Sequence, residues 1–480
     1  MESSKVFNSL RYLNVYELGS FEKFLRSPYF NQNENLVKLY QILLPFLKTR
    51  KEIDVDKFRV WEKLFGNIEF DDKYFRKLTS DLLKLEERFI SQQVFDENNS
   101  LITNLLLQGI TRKGAFKMYN SALAAAERLV ERNFDRNADY YYQQYILERN
   151  KFNFTSEFEK KSKKQTKHNW LNIKEISDNI DIFYISEKLK LYSTLLSAKS
   201  IKKIDVNLNF IEEIIMFIQE NNFVEYPPIA IYYQIYLTLT ESKNEEHYQK
   251  LKELIAQYIN QFPKDEAVDI YESALNYCIN KANSGFSQFY EELLFLYKGM
   301  LSNEIIGNQA RLNPTNFRNI VFTAARVNDF KWAEWFIETY KDKLDERYRD
   351  NAVTFNLARL NYYKKDYDKV KKYLRDVEFN DMAYELSAKS MLIATYYDTD
   401  DYDPLYSLLD SFNMFLNRNK KTIPEQKGKA HQVLIKFVRK LISINPSDKS
   451  AIQKLKLNIE KAGDIPDKQW LLDRVRELEK

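Results

Sequence analysis

The sequence predicts an all-α fold in which antiparallel helix hairpins stack into a right-handed superhelix, or solenoid, next to an N-terminal helical cap. Three observations support this prediction. Only 9 Gly and 10 Pro occur in 480 residues, which is little turn material for a sheet-rich chain. Apolar residues recur at helical steps of three and four along most of the sequence. Toward the C-terminus, a pattern of turn and apolar residues also repeats at nearly regular intervals.

The first 92 residues are expected to form the helical cap. Their four helical segments are separated by short linkers and cover residues 16–27, 34–48, 54–65 and 71–90. The last segment carries one apolar stripe, formed by Tyr74, Leu78, Leu82, Leu85 and Phe89. This apolar stripe must pack against another apolar surface. The short linkers indicate that the neighbouring helices provide that surface.

The rest of the chain is divided into three regions by the length and regularity of its helical segments. Residues 93–222 are predicted to be an irregular helical region, in which 117–134 and 138–154 form two long helices. Ala122, Ala125 and Ala126 would allow those two helices to approach closely. Residues 223–420 are predicted to form helical repeats, and residues 421–480 to form C-terminal capping helices.

The repeat is clearest at three Asp-aromatic corners. Asp329, Asp366 and Asp401 lie 37 and 35 residues apart. An apolar pair stands nine and eight residues before each aspartate. Single apolar residues stand four and eight residues after it. These are Ile320, Val321, Ala333 and Ile337; Leu357, Ala358, Val370 and Leu374; and Leu392, Ile393, Leu405 and Leu409. Such spacing predicts two helices joined by a tight corner, whose remaining apolar faces must be covered by the next hairpin.

The segment NLARLNYYKKDYDKVKKYLRDV resembles the tetratricopeptide repeat family, with matching residues Leu357, Ala358, Asp366, Tyr367 and Leu374. It departs from that family at Asn361, which stands at an aromatic position, and at Val370, which stands at an alanine position. The resemblance covers about residues 313–418, and segments 229–262 and 265–301 could be degenerate copies. A helical solenoid of another kind is the alternative.

The resemblance implies a concave groove lined by the first helix of each hairpin. In this family, an asparagine before the leading apolar residue contacts the backbone of a bound peptide, and Asn319 and Asn356 stand at that position, whereas Met391 does not. The other groove residues implied by the resemblance are Arg318, Phe322, Arg326, Arg359 and Tyr362.

Guanidinium groups, amides and aromatic rings together suit an extended peptide with acidic side chains or a carboxylate end. The full basic clamp of the chaperone-binding members is missing. The alternative interpretation is that these residues are ordinary solvated or packing residues of a scaffold helix.

A run of lysines is a second candidate site. Lys160, Lys161, Lys163, Lys164 and Lys167 could contact the phosphates of a nucleic acid, with Trp170 stacking on a base. A solvated helix face or connector is the simpler interpretation, because Glu157 and Glu159 lie next to the run. The alternative function is accordingly a nucleic-acid-associated regulator, with a helix-turn-helix-like unit at residues 54–92 and a sensory repeat domain.

Signals for catalysis, metals and cofactors are missing from the sequence. It contains neither a glycine-rich phosphate loop nor an HExxH motif, and its single cysteine, Cys278, cannot form an intrachain disulfide or a thiolate metal site. We therefore expect no enzyme and no cofactor, but a scaffold or adaptor that binds a peptide or partner protein.

The expected compartment is the cytoplasm. The sequence shows no secretory signal, and its apolar runs are broken by charge before the ~18 residues of a membrane-spanning helix. The formal net charge of +4 gives no global attraction to nucleic acid or to an anionic membrane. A membrane partner is not expected, and the sequence does not assign an oligomeric state.

Overall fold

The computed structural model of the chain describes residues 4–49, 55–162, 172–202, 208–307, 312–375, 382–463 and 465–479. Within these ranges every regular element is a helix, as the sequence predicts. None of these helices combines the length and the apolar character needed to cross a bilayer. The chain forms two compact units, Met1–Tyr184 and Ile185–Lys480, and each is described separately.

The N-terminal unit contains eight complete α-helices in its described residues. They are α1 (Lys5–Leu10), α2 (Val15–Arg26), α3 (Glu34–Thr49), α4 (Lys57–Phe65), α5 (Asp72–Glu97), α6 (Asn99–Lys113), α7 (Tyr119–Arg132) and α8 (Ala138–Ser162). The boundary between the two units falls inside α9 (Ile173–Lys202). The sequence-based boundary at residue 92 falls inside α5, and the four-part division stays a prediction.

Helices α1 to α5 enclose one apolar core, to which the predicted stripe of α5 contributes. Leu78, Leu82 and Phe89 are buried there, while Tyr74 and Leu85 pack at its edge. The sequence also determines where these helices start. The Asn14 side chain accepts hydrogen bonds from the first turn of α2, and the Glu17 carboxylate accepts one from the Asn14 N–H in return.

Fourteen further α-helices are described in the C-terminal unit. They are α10 (Ile211–Glu220), α11 (Pro227–Thr240), α12 (Glu245–Tyr258), α13 (Lys264–Asn283), α14 (Phe289–Ser302), α15 (Pro314–Arg326), α16 (Phe330–Tyr340), α17 (Glu346–Tyr363), α18 (Tyr367–Arg375), α19 (Met382–Asp398), α20 (Tyr402–Arg418), α21 (Glu425–Ser443), α22 (Lys449–Lys461) and α23 (Lys468–Leu478).

Packing in this unit follows the order of the chain. From α11 to α20, each odd-numbered helix packs against the helix that follows it. In addition, α17 packs against both α15 and α19, so the first helices of three consecutive pairs lie side by side. This neighbour-to-neighbour arrangement is compatible with a helical repeat.

The three corners predicted from the sequence have the same backbone geometry. Asn328, Lys365 and Asp400 adopt left-handed φ angles of 60°, 61° and 55°. At each corner the N–H of the next residue, an aspartate, donates to the carbonyl oxygen five residues before it, at 2.9, 3.0 and 2.9 Å. This closure is a Schellman motif, and it explains why the first helix of each pair stops at the same point of the repeat.

The apolar residues around these corners lie where the spacing predicts. Of the predicted set, Ile320, Val321, Ala333, Ala358, Val370, Ile393, Leu405 and Leu409 are fully buried, and Ile337 and Leu374 nearly so. Leu357 and Leu392 are only half-buried. The downstream positions bury the second helix of each pair against the first.

Replacing Lys365 with glycine is expected to stabilise the C-terminal unit by about 1 kcal/mol, because glycine adopts the left-handed conformation without a steric penalty. Asn328 and Asp400 tolerate this conformation better than a lysine does. Urea unfolding measures the effect. The matched control is Lys364→Gly, one residue earlier, where φ is −75° and glycine should destabilise the protein. Lower stability of Lys365→Gly would contradict the expectation.

Candidate binding surface

Helices α15 and α17 present a row of alternating cationic and aromatic side chains at steps of four residues. On α15 the order is Arg318, Phe322, Arg326, and on α17 it is Phe355, Arg359, Tyr363. The two rows are offset by 37 residues, which is the distance between the corners at Asp329 and Asp366. At each equivalent position, therefore, one helix carries an arginine and the other an aromatic ring.

The arginines stack on rings from their own and neighbouring helices. The guanidinium of Arg359 lies 4.9 Å from the ring centroid of Phe355 and 5.2 Å from that of Phe322. The Arg326 guanidinium lies 4.9 Å from the ring of Tyr290 on α14 and 6.0 Å from that of Tyr363.

Arg318 lies 5.9 Å from the ring of Tyr384 on α19. We refer to eight residues as the arginine–aromatic surface. Arg318, Arg326, Arg359, Tyr290, Phe322 and Tyr363 are half-buried members of it, and the rings of Phe355 and Tyr384 are buried members that two of the arginines contact.

In the described part of the chain, none of the three arginines of this surface forms an ion pair with a carboxylate within 4.0 Å. Desolvation lowers the pKa of Arg359, and the nearby charge of Arg318 lowers it further. Desolvation also acts to lower the pKa of Arg326, but the adjacent Tyr363 and Tyr290 outweigh it and raise the pKa. All three groups remain cationic at neutral pH, since guanidinium is not deprotonated in proteins.

Two tyrosines at the end of α17 are poorly hydrated. Tyr362 and Tyr363 are half-buried, and desolvation raises the pKa of both phenols. Electrostatic interactions with a ligand are stronger where fewer water molecules screen them.

Five of the residues that the sequence analysis assigned to the groove lie together here and are half-buried: Arg318, Phe322, Arg326, Arg359 and Tyr362. The two asparagines differ from them. The Asn319 side chain is half-buried and acts to lower the pKa of the Tyr297 phenol, which desolvation raises to about 12.

Asn356 is fully buried, and its Nδ2 donates to the carbonyl oxygen of Ala352 at 2.7 Å. The structure thus places Asn356 beneath the surface rather than on it, because the helix turns this position toward the core.

Four residues of the surface were not named by the sequence analysis: Tyr290, Phe355, Tyr363 and Tyr384. The 37-residue offset could have identified Phe355 and Tyr363, because they occupy the repeat positions of Arg318 and Arg326. The 37-residue offset does not identify Tyr290 and Tyr384, because the packing of α14 and α19 brings them to the surface.

The second candidate site, the lysine run, cannot be placed. Lys163, Lys164 and Lys167 lie outside the described residues, and the side chains of Lys160 and Lys161, at the end of α8, are not described either.

The single cysteine of the sequence is a core residue. Cys278 is fully buried in α13, and desolvation raises its pKa to about 12. A thiol of this kind is a poor nucleophile.

Two open depressions lie near the C-terminus, between α20, α21 and α22, and long solvated side chains such as Lys436 and Arg439 line the first of them. Within the described ranges, no three His, Cys, Asp or Glu residues come together to hold a metal ion. Comparison of the chain with known protein families, with curated proteins and with solved structures gave no match.

Proposed function

We propose that the protein is a non-catalytic scaffold or adaptor of the cytoplasm, and that its C-terminal unit is a solenoid similar to tetratricopeptide repeats. The first helices of its hairpins would line a groove that binds an acidic peptide or an acidic segment of a partner protein. The observation that carries this proposal is the arginine–aromatic surface, where three guanidinium groups stack on rings without a carboxylate partner within ion-pair distance in the described structure.

The stacking supports binding in two ways. A guanidinium held on a ring has already lost much of its conformational freedom, so less entropy is lost when a ligand binds. The planar guanidinium group also carries several N–H donors, which can bind carboxylate oxygens in pairs. The surrounding tyrosines add apolar area for the rest of the peptide.

Residues 54–92, the segment of the nucleic-acid hypothesis, contain both paired and unpaired basic groups, since Arg59, Lys63, Lys73 and Lys77 are exposed and form no ion pair within 4.0 Å in the described structure. Lys57 and Arg76, on α4 and α5, both pair with Asp72, at 3.1 and 2.7 Å. Lys57 also lies over the rings of Phe58 and Phe70. Basic groups that are already neutralised contribute little to phosphate binding. This function stays an alternative hypothesis.

Affinity capture from a cell lysate, followed by mass spectrometry, tests the proposal. The wild-type chain is compared with the double variant Arg326→Gln/Arg359→Gln, in which glutamine keeps much of the aliphatic stem and removes the charge. A partner bound through this surface should bind about 100-fold more weakly to the variant, because the acidic groups of the partner would lose their charged hydrogen bonds.

The control is Lys331→Gln/Lys372→Gln, which makes the same charge change at exposed positions of α16 and α18, the second helices of the same two pairs. Melting temperatures of all chains show whether the fold is retained. If the arginine variant and the wild-type chain capture the same partners equally well, the surface is not the binding site.

A further inference from the structure

Helix α10 packs against the protein with one face and leaves the opposite face in water. On the inner face, Ile214 and Ile218 are buried, and the Gln219 side chain donates to the Tyr233 hydroxyl of α11 at 3.0 Å. On the outer face, the Met216 side chain is 53% exposed. The contacts of the inner face hold α10 in place, so the outer face is presented on a fixed support.

The exposed apolar residues of α10 continue into the turn that follows it. Phe217 is exposed beside Met216, and its ring centroid lies 4.9 Å from that of Phe223, in the single 3₁₀ turn Phe223–Glu225. Val224 of the same turn is exposed, and the ring of Phe223 lies 5.4 Å from that of Tyr226. These ring contacts fix the turn against the helix, so a partner does not have to order the patch when it binds.

Carboxylates surround this apolar patch. Glu212, Glu213 and Glu220 of α10 and Glu225 of the 3₁₀ turn are all exposed. Residues three or four apart are neighbours on a helix surface, so Met216 has a glutamate one turn away on either side. None of the four carboxylates forms an ion pair within 4.0 Å in the described part of the chain.

The segment of sequence around α10 is acidic throughout. Residues 204–242 contain neither Lys, Arg nor His, whereas the whole chain has a formal net charge of +4. The acidic residues of this segment are Asp205, Glu212, Glu213, Glu220, Glu225 and Glu241. We refer to its exposed residues on α10 and the 3₁₀ turn as the acidic–apolar face: Met216, Phe217, Val224, Glu212, Glu213, Glu220 and Glu225.

We propose that the acidic–apolar face binds a basic amphipathic helix of a partner protein. A helix face offers side chains but no free backbone groups for an extended peptide, so the partner packs against it as another helix does. Since α10 has 10 residues and is about 15 Å long, the contact fits about three turns of such a helix.

The chemistry of the face determines that of the partner. Apolar side chains of the partner helix would cover Met216 and Phe217, and the flexible thioether of methionine adapts to partners of different shape. Lysine or arginine side chains along the edges of that helix would reach the glutamates, and this complementarity speeds association and fixes the orientation. The partner differs from the acidic ligand of the arginine–aromatic surface, so this proposal goes beyond the proposed function.

The test uses the full chain and a fluorescein-labelled synthetic helix that carries leucines on one face and lysines on the other. Binding is followed by fluorescence anisotropy at low salt. Glu213→Gln/Glu220→Gln should bind this peptide about tenfold more weakly than the wild-type chain, because two attractive charges are removed. The matched control is Glu346→Gln/Glu460→Gln, at exposed positions of α17 and α22, which should stay within about twofold of wild type.

Met216→Gln tests the apolar part of the face. Its control is Met414→Gln on α20, because both methionines are 53% exposed. Only Met216→Gln should lower affinity, by about fivefold, since only there does the peptide bury the side chain. A peptide with glutamates in place of the lysines should bind the wild-type chain about 100-fold more weakly than the lysine peptide.

Two results would overturn the proposal on its own terms: equal affinities of the two glutamate variants, or equal affinities of the two methionine variants. Analytical ultracentrifugation tests the other occupant of the face. A wild-type dimer that Met216→Gln converts to a monomer would assign the face to a second copy of the chain instead. Arg326→Gln/Arg359→Gln should bind the lysine peptide at least as tightly as wild type, so the two binding surfaces can fail separately.

Discussion

The N-terminal unit is expected to lose about 3 kcal/mol of stability as the pH rises from about 4.5 to about 7, because one carboxyl group is buried in its core. Glu86 of α5 is fully buried among the apolar side chains of α1 to α5. Desolvation raises its pKa from 4.5 to about 7, and the neighbouring charge of Glu87 acts in the same direction.

The hydroxyl of Ser9 offsets only part of this effect. It lowers the pKa of Glu86, but no donor in the described structure makes a well-formed hydrogen bond to either carboxyl oxygen. The folded state therefore holds a proton that the unfolded state releases between the two pKa values. Stability is greatest below the unfolded pKa, falls through this interval as the pH rises, and is constant above it.

Glu86→Gln should remove this pH dependence, since glutamine has the same shape and does not titrate. Glu87→Gln, at the exposed neighbouring position, should keep it. Hydrogen exchange of peptides from α1 to α5, corrected for the intrinsic effect of pH, measures the stability of this unit within the full chain. A wild-type profile that is flat between pH 4.5 and 7 would contradict the assignment.

Asp398→Ala is expected to destabilise the C-terminal unit by about 3 kcal/mol and to release α23. The Asp398 side chain is only 6% exposed. It accepts hydrogen bonds from the Tyr367 hydroxyl at 3.0 Å and from Trp470 Nε1 at 3.1 Å, and it also interacts with Arg474. Removing the acceptor leaves these donors unpaired in a poorly hydrated place.

Hydrogen exchange is the measurement for this variant as well, because protection should be lost first in α23 and only later in α15 to α17. Asp410→Ala is the control. Asp410 also pairs with an arginine, Arg439, but its side chain is 67% exposed, so its removal should cost less than about 1 kcal/mol. Unchanged protection of α23 in Asp398→Ala would show that other contacts hold this helix.

Much of the helical structure could be predicted from local patterns. The segments predicted at 16–27, 34–48, 54–65 and 71–90 correspond to α2, α3, α4 and α5, while the short α1 was missed. Of the predicted corner residues, Asp329, Asp366 and Asp401 all stand immediately after a left-handed residue. Such predictions succeed because caps, corners and apolar stripes depend on residues within about one helical turn of each other.

The candidate surface was only partly predictable. Arg318, Arg326 and Arg359 were assigned through the resemblance to a repeat family, and the structure brings all three together with aromatic rings. Asn356 was assigned by the same resemblance but is buried, since the rotation of α17 about its own axis depends on the packing of α15 and α19 against it. Sequence spacing gives the periodicity of a helix, whereas its neighbours decide which face is covered.

By itself, the sequence determined that this chain is helical, where most of its helices begin and end, and that its hairpin corners repeat. Those properties follow from short-range sterics and hydrogen bonding. Only the tertiary structure decided which rings the arginines stack on and that Asp398, at the end of α19, accepts a hydrogen bond from Trp470 of α23. Contacts of this kind depend on how separate helices pack, and no local pattern encodes them.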